Sequence, residues 1–235
     1  MAVSKTRMLE LVKGFRAAEV DLALNENPAL QKVRDARGRN WLHVCCGQKV
    51  KKGQEKDSIR TAEVLLKHGF DPSEPAFTEG AWKAVPVWFA IGRGENLPLA
   101  EWLMKRGADP NHSLWAASFR NSLAAIRLLV KYGARLEDVA EKTTPFLGAV
   151  SWSKFAAAEE LLKAGADPDF VDAKGMTALH YMLKKGSDKK HIAMIIRYGA
   201  RGDIKDKAGV TAIDIMRRKK DPDFRRMAEQ LAARR

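Results

Sequence analysis

Cys45-Cys46 is the first pair in the chain whose side chains could do chemistry. Two thiols can hold a metal or cycle as a dithiol. Adjacent residues on one helix, however, do not aim both sulfurs at one ion, and no second cysteine pair completes four ligands. Core packing is therefore expected, with no metal and no cofactor. Gly92-Arg-Gly94 lacks the third glycine of a phosphate cradle and follows a helical pattern rather than a strand. There is no Gly-x-x-x-x-Gly-Lys, no Gly-x-Ser-x-Gly and no His-Glu-x-x-His. These residues do not describe an enzyme. Arg217-Arg218-Lys219-Lys220 resembles a nuclear-import tetrapeptide, but a helix end that favours cations accounts for it equally well.

The elements that carry these residues recur. Leu65-Leu66-Lys-His-Gly69-Phe-Asp-Pro72 returns as Leu103-Met-Lys-Arg-Gly107-Ala-Asp-Pro110 and as Leu161-Leu162-Lys-Ala-Gly165-Ala-Asp-Pro168. Shorter copies end at Gly133 and Gly199, so the intervals are 38, 26, 32 and 34 residues. A period near ~33 residues marks a stacked-repeat architecture. A second element lies about 21 residues before each glycine: Thr144-Pro145-Phe-Leu, Thr177-Ala-Leu-His180 and, less cleanly, Asn40-Trp-Leu-His43, Val85-Pro86-Val-Trp88 and His112-Ser-Leu-Trp115. Thr211-Ala-Ile-Asp214 opens a last copy. A third element, Asp-x-x-Gly, stands at Asp35, Asp172 and Asp206. A Thr hydroxyl caps a helix start, Pro suits the first turn, and the closing Gly takes the left-handed conformation that ends a helix. Each copy is a helix–turn–helix that cannot bury its apolar face alone. Leu128 and Leu161 are expected to be buried between neighbouring copies.

Three elements in fixed order over residues 33–231 resemble the ankyrin repeat, with its Thr-Pro-Leu-His-x-Ala and Leu-Leu-x-x-Gly-Ala-Asp pattern. The resemblance implies an all-α ankyrin-repeat solenoid of about six helix-turn-helix units with helical caps. It divides the chain into an N-terminal helical cap at 1–32, repeats at 33–207, and a degenerate repeat with a cap at 208–235. It makes His43 and His180 structural, bonding within and between repeats. Trp88 and Trp115, in the same slot, would fill gaps beside fingers of altered length. The finger at Pro72–Ala84 is long, and the copy before His112 should lack one. An insert, Gln48–Asp57, is expected to be polar and mobile. The first cap reads as two degenerate helices with apolar residues Met8, Leu11, Val12, Phe15, Ala18, Val20, Leu22 and Leu24, broken near Asn25–Pro28. The last cap carries Phe224, Met227, Ala228 and Leu231 on one stripe, with Arg234 and Arg235 among the residues facing water.

The net charge of +13 is uneven. Residues 1–60 carry +6 and residues 181–235 carry +9, whereas 61–120 and 121–180 carry −1 each. Such ends either solubilise caps or meet an acidic partner or nucleic acid. No run of 18 apolar residues and no apolar leader is present, and two cysteines make no disulfide framework. A monomer in a reducing cytoplasm, without a membrane segment, is expected.

Aligning the repeats on the family pattern brings out the candidate site. The two residues after the small pair of each first helix, and those flanking the finger tips, face the concave side in this family. Here they give Gly92 and Arg93, Phe119 and Arg120, Ser151 and Trp152, Lys184 and Lys185, Arg218 and Lys219. The finger tips add Arg37, Arg39, Trp82, Lys83, Glu141, Lys142 and Lys174. Arg and aromatic residues are enriched where binding energy concentrates. The expected site, centred on Arg93, Arg120, Trp152 and Lys185, is a basic and aromatic groove for an acidic segment of a protein partner. Two alternatives stand beside it. Phe119 and Trp152 could tuck between helices, leaving a merely solvated basic face, or the face could serve nucleic acid.

Overall fold

The computed structural model describes residues 3–79, 82–140 and 142–233. The expected tip residue Glu141 and the terminal Arg234 and Arg235 lie outside them. Two compact units form, Met1–Ala117 with Lys131–Ala134, and Ser118–Val130 with Arg135–Arg235.

The first unit opens with α1 (Lys5–Lys13) and α2 (Ala17–Glu26), followed by a 3-10 turn at Pro28–Lys32. Then come α3 (Trp41–Gly47), α4 (Glu55–Lys67), α5 (Pro86–Gly92) and α6 (Leu97–Met104), and α7 (Leu114–Phe119) begins. The first helices pack in the row α1–α3–α5 and the second helices in the row α2–α4–α6. The second unit holds α8 (Leu123–Lys131), α9 (Pro145–Ser151), α10 (Phe155–Lys163), α11 (Ala178–Lys185), α12 (Lys189–Arg197), α13 (Ala212–Arg217) and α14 (Pro222–Ala232). The same two rows recur there, as α9–α11–α13 and α10–α12–α14. Stacking of this kind is what an amphipathic helix pair with no private core requires.

Local chemistry sets the boundaries as the sequence leads one to expect. Thr144 Oγ1 accepts the Leu147 N–H at the start of α9, and Pro145 fills the first turn. The repeating glycines Gly69, Gly107, Gly133, Gly165 and Gly199 all end helices with φ between +80° and +100°. Gly94 is required for a different reason: a Cβ there would stand 2.2 Å from the Cys46 carbonyl. The glycine of the Gly92-Arg-Gly94 run thus serves close packing of the α5 end against the α3 end.

The fingers share one device. Asp35 Oδ1 accepts the N–H groups of Arg37 and Arg39, Asp172 Oδ1 those of Lys174 and Met176, and Asp206 Oδ1 those of Ala208 and Val210. The long finger forms a short antiparallel ribbon, β1 (Thr78–Glu79) with β2 (Trp82–Lys83). The third finger is missing as expected, since Asn111 turns through His112 (φ +65°) directly toward α7.

Several expectations need correction. Leu128 is only half-buried, and its neighbour Leu129 is the residue with no exposed surface. Adjacent positions on a helix face about 100° apart, and the inward one here is the second leucine. Leu22, expected in the first cap's apolar set, is 57% exposed, and Ala18 is exposed too. The insert spans 48–54 rather than Gln48–Asp57, because Glu55 and Asp57 form the first turn of α4. Carboxylates are favoured at that end of a helix. Lys49 of the insert pairs with Glu95 at 2.6 Å.

The two histidines join repeats. His43 Nδ1 accepts the Asn40 N–H at 3.2 Å, and Nε2 donates to the Glu74 carbonyl at 2.8 Å. His180 repeats this with the Thr177 N–H at 3.2 Å and the Val210 carbonyl at 3.1 Å. Both rings are fully buried. Burial lowers the His43 pKa from its ordinary 6.5 to about 4.

Leu129→Ala and Leu161→Ala, both at 0% exposure, should each cost ~2–5 kcal/mol, and Leu128→Ala less than either, by denaturant unfolding. The folded state keeps His43 neutral while the unfolded chain protonates it near pH 6.5. The stability present above pH 6.5 should therefore fall as pH drops toward 4, and His43→Gln should flatten that slope.

Candidate functional site

In the second unit the candidate residues sit where first helices end. Phe119 closes α7, Trp152 caps α9, Lys184 and Lys185 close α11, and Arg218 caps α13. Phe119 is 53% exposed, and its ring meets Trp152 edge-on at 5.1 Å and 90°. Trp152 is half-buried. Lys185 reaches back one repeat, donating to the Ser151 carbonyl at 3.1 Å and to Ser153 Oγ at 2.9 Å. Lys184 donates to Asp206 Oδ2 at 3.1 Å. The Asp206 carboxyl is held below its ordinary pKa, first by the Val210 N–H and then by Lys184. Arg120, Lys174 and Arg218 are exposed. Two neighbouring lysines of the expected ladder are thus engaged inside the fold.

In the first unit the pattern differs. Arg37 is exposed at its finger tip, and Lys83 is exposed on β2. Arg39 is half-buried, and its guanidinium binds Asp35 Oδ2 at 2.7 Å. Trp82 is half-buried in an aromatic cluster, edge-on to Phe77 at 5.2 Å and to Trp88 at 5.4 Å. Its indole N–H donates to the His112 carbonyl at 3.3 Å. Trp88 therefore packs against the lengthened finger, as its size suggested. Arg93 is exposed just past α5, its guanidinium carbon 5.9 Å from the centre of the Phe89 ring.

A cleft of about 490 Å³ opens beside Arg93. Helix α1 supplies Lys5, Leu9 and Lys13, the segment after the 3-10 turn supplies Val33, and α3 supplies Trp41 and Val44. Arg34 and Arg39 also line it, but Arg34 is bound to Glu74 at 2.7 Å. Sequence reasoning found Arg39 and Arg93 and missed the lysines of α1. The repeat register places first helices and fingers relative to each other, and the first cap has no register to align.

Chain comparison decides the family of folds. No family model matches the sequence. Three solved structures superpose on nearly the whole chain. The human ASB11 ankyrin repeat domain covers 91% of each chain at 17% identity, with a TM-score of 0.66. The ankyrin repeat domain of Bcl-3, a member of the IkappaB family, covers 88% of this chain and 92% of its own at 16% identity and a TM-score of 0.69. An ankyrin repeat domain from Acinetobacter baumannii covers 84% of this chain and 100% of its own at 20% identity and a TM-score of 0.63. This is the ankyrin-repeat fold. The transient receptor potential channel pyrexia of Drosophila melanogaster is 29% identical over 168 residues, which is 68% of this chain. The chain spans only 16% of that relative's length. Among the described residues, no helix is long and apolar enough to cross a membrane.

On this ankyrin-repeat scaffold Cys45 and Cys46 lie wholly within the first repeat's core. The Cys45 thiol donates weakly to the Ser58 carbonyl at 3.7 Å. Burial pushes its pKa up to about 12, and burial together with Cys45 raises that of Cys46. Among the described residues, no group of three or more His, Cys, Asp or Glu is placed to hold a metal. A thiolate is the reactive form, so both thiols should resist iodoacetamide in the native chain at neutral pH. Mass spectrometry should show both labelled only after denaturation.

Proposed function

We propose that the chain is a non-catalytic protein-interaction module that binds an acidic segment of a partner. The observation that carries this is Phe119, a large apolar side chain left 53% exposed and held edge-on by Trp152. Isolated exposed apolar residues need no explanation, but these two rings stand at the first-helix ends of successive repeats and pack on each other. Arg120 stands next to Phe119 in sequence, and Arg218 stands at the position equivalent to Phe119 in a later repeat. An aromatic anchor among guanidinium groups suits a bulky side chain flanked by carboxylates. The ankyrin-repeat neighbours support protein binding in general, and the acidic character of the partner rests on the charge of this chain. We take residues 1–32 as the first cap, 33–207 as repeats and 208–235 as the closing repeat and cap. Its two buried, free thiols fit a reducing compartment such as the cytoplasm.

The test is selection from a random peptide library on the immobilised full chain at ~0.15 M salt. Peptides with Asp or Glu around an apolar residue should be enriched. Phe119→Ala and Trp152→Ala should each weaken the selected peptide by ~2 kcal/mol, about thirtyfold, with little change in melting temperature for the exposed Phe119. Lys163→Glu, on a second helix, should be silent. Selection without acidic preference would sink the reading. Binding of single-stranded DNA with a steep salt slope at these same residues would replace it with polyanion binding.

A further inference from the structure

The cleft beside α1 has a lining that the Phe119 face does not share. Leu9, Val33, Trp41 and Val44 give it an apolar wall, interrupted by Thr6, His43 and Gln48. Its rim is cationic. Lys5 and Lys13 lie at opposite ends of α1, about 12 Å apart along a helix that rises 1.5 Å per residue. Arg93 lines the same cleft from the end of α5. None of these three makes an ion pair among the described residues, and all three are exposed. The neighbouring cations are committed: Arg34 to Glu74 and Arg39 to Asp35. The one acid in the lining, Asp35, is already bound by Arg39 and by backbone N–H groups. The cleft therefore presents three unneutralised positive charges beside an apolar wall.

We infer that this cleft is a second peptide site, seating one bulky apolar side chain of an extended acidic segment while its flanking carboxylates meet Lys5, Lys13 and Arg93. A volume of about 490 Å³ falls in the range of pre-formed ligand sites and exceeds what one side chain fills, leaving room for adjoining backbone. The apolar wall distinguishes this from a general attraction for polyanions, which needs charge alone. Spacing of the cations along α1 favours an extended chain with carboxylates on either side of its anchor over a compact anion. The inference rests on the reading of the chain as a binder of acidic segments, but it concerns residues outside the Phe119 face.

The experiment uses the full chain and a fluorescein-labelled peptide, Glu-Glu-Asp-Leu-Phe-Asp-Glu, followed by fluorescence anisotropy. A control peptide carries Gln and Asn in place of the acids. Lys5→Glu with Lys13→Glu, and separately Arg93→Glu, should each weaken binding at least about tenfold, because reversal adds repulsion to the loss of attraction. Val44→Phe, which narrows the cleft without changing charge, should weaken it as well. Lys52→Glu, on the exposed insert, should not. The variants of α1 change exposed residues only, so their melting curves should match the parent and keep the test valid if Val44→Phe unfolds. Equal binding by the acid-free control overturns the inference. So do charge-reversal variants that bind within about twofold of the parent. If those variants bind normally while Phe119→Ala removes binding, the acidic-segment reading survives and the cleft assignment alone falls. If the parent binds neither this peptide nor any acidic peptide from the library, both fall.

Discussion

A pair of short helices cannot cover its own apolar stripe, and the rest of this structure follows from that constraint. Helices of six to thirteen residues are marginal alone in water, so they persist here only by lying against their counterparts in neighbouring repeats. Close approach needs small side chains on the shared faces. Ala90, Ala117 and Ala149 are fully buried, and a Cβ on Gly92 would come within 3.2 Å of Ala116. The rows α1–α3–α5 and α9–α11–α13 are the outcome. Stacking fixes where each first helix ends, so side chains at those ends recur at one level in successive repeats. A surface made this way can vary residue by residue without disturbing the core beneath it.

Charge serves two purposes, separated by what each cation touches. Arg39, Lys184 and Lys185 are bound to a finger aspartate, to a neighbouring finger and to the preceding turn. Arg39 and Lys184 pair with the aspartates that also bind finger N–H groups, and Lys185 ties its helix end to the preceding repeat. Lys5, Lys13 and Arg93 line a cleft without an ion-pair partner among the described residues. Lys13 and Arg93 stand at helix ends that favour cations, whereas Lys5 stands at the start of α1, where a cation gains nothing from the helix.

The repeat signatures made most of the helices legible, because Thr-Pro caps and closing glycines act locally and each copy corroborates the next. What stayed hidden was set by contacts between repeats. Sequence spacing put Leu128 and Leu129 on the same helix but could not say which faced inward. The ribbon at Thr78–Lys83 depends on Trp82 finding Phe77 and Trp88, contacts that no local propensity announces. The candidate residues Phe119 and Trp152 were found by alignment of copies, and so was Arg93. Alignment did not show that Trp82 would be drawn into an aromatic cluster, nor that Lys184 and Lys185 would be engaged by Asp206, Ser151 and Ser153. Of the cleft, only Arg39 and Arg93 were legible, since α1 belongs to no copy.

The fourth position of the helix opener shows how far a shared scaffold dictates a residue. At His43 and His180 the slot needs a side chain that caps its own helix with one nitrogen and reaches a carbonyl of the next repeat with the other. Imidazole has two nitrogens at the required separation, one placed to accept and the other to donate. At Trp88 the next finger is absent, and the slot is filled by a ring packed between Trp82 and Phe89. At Asp214 no finger follows among the described residues. The carboxylate there turns back, accepting from both the N–H and the hydroxyl of Thr211 at 3.0 and 2.7 Å. Leu147 occupies the same slot, buried, although a finger follows at Asp172, so the stack permits a bonding residue there without requiring one.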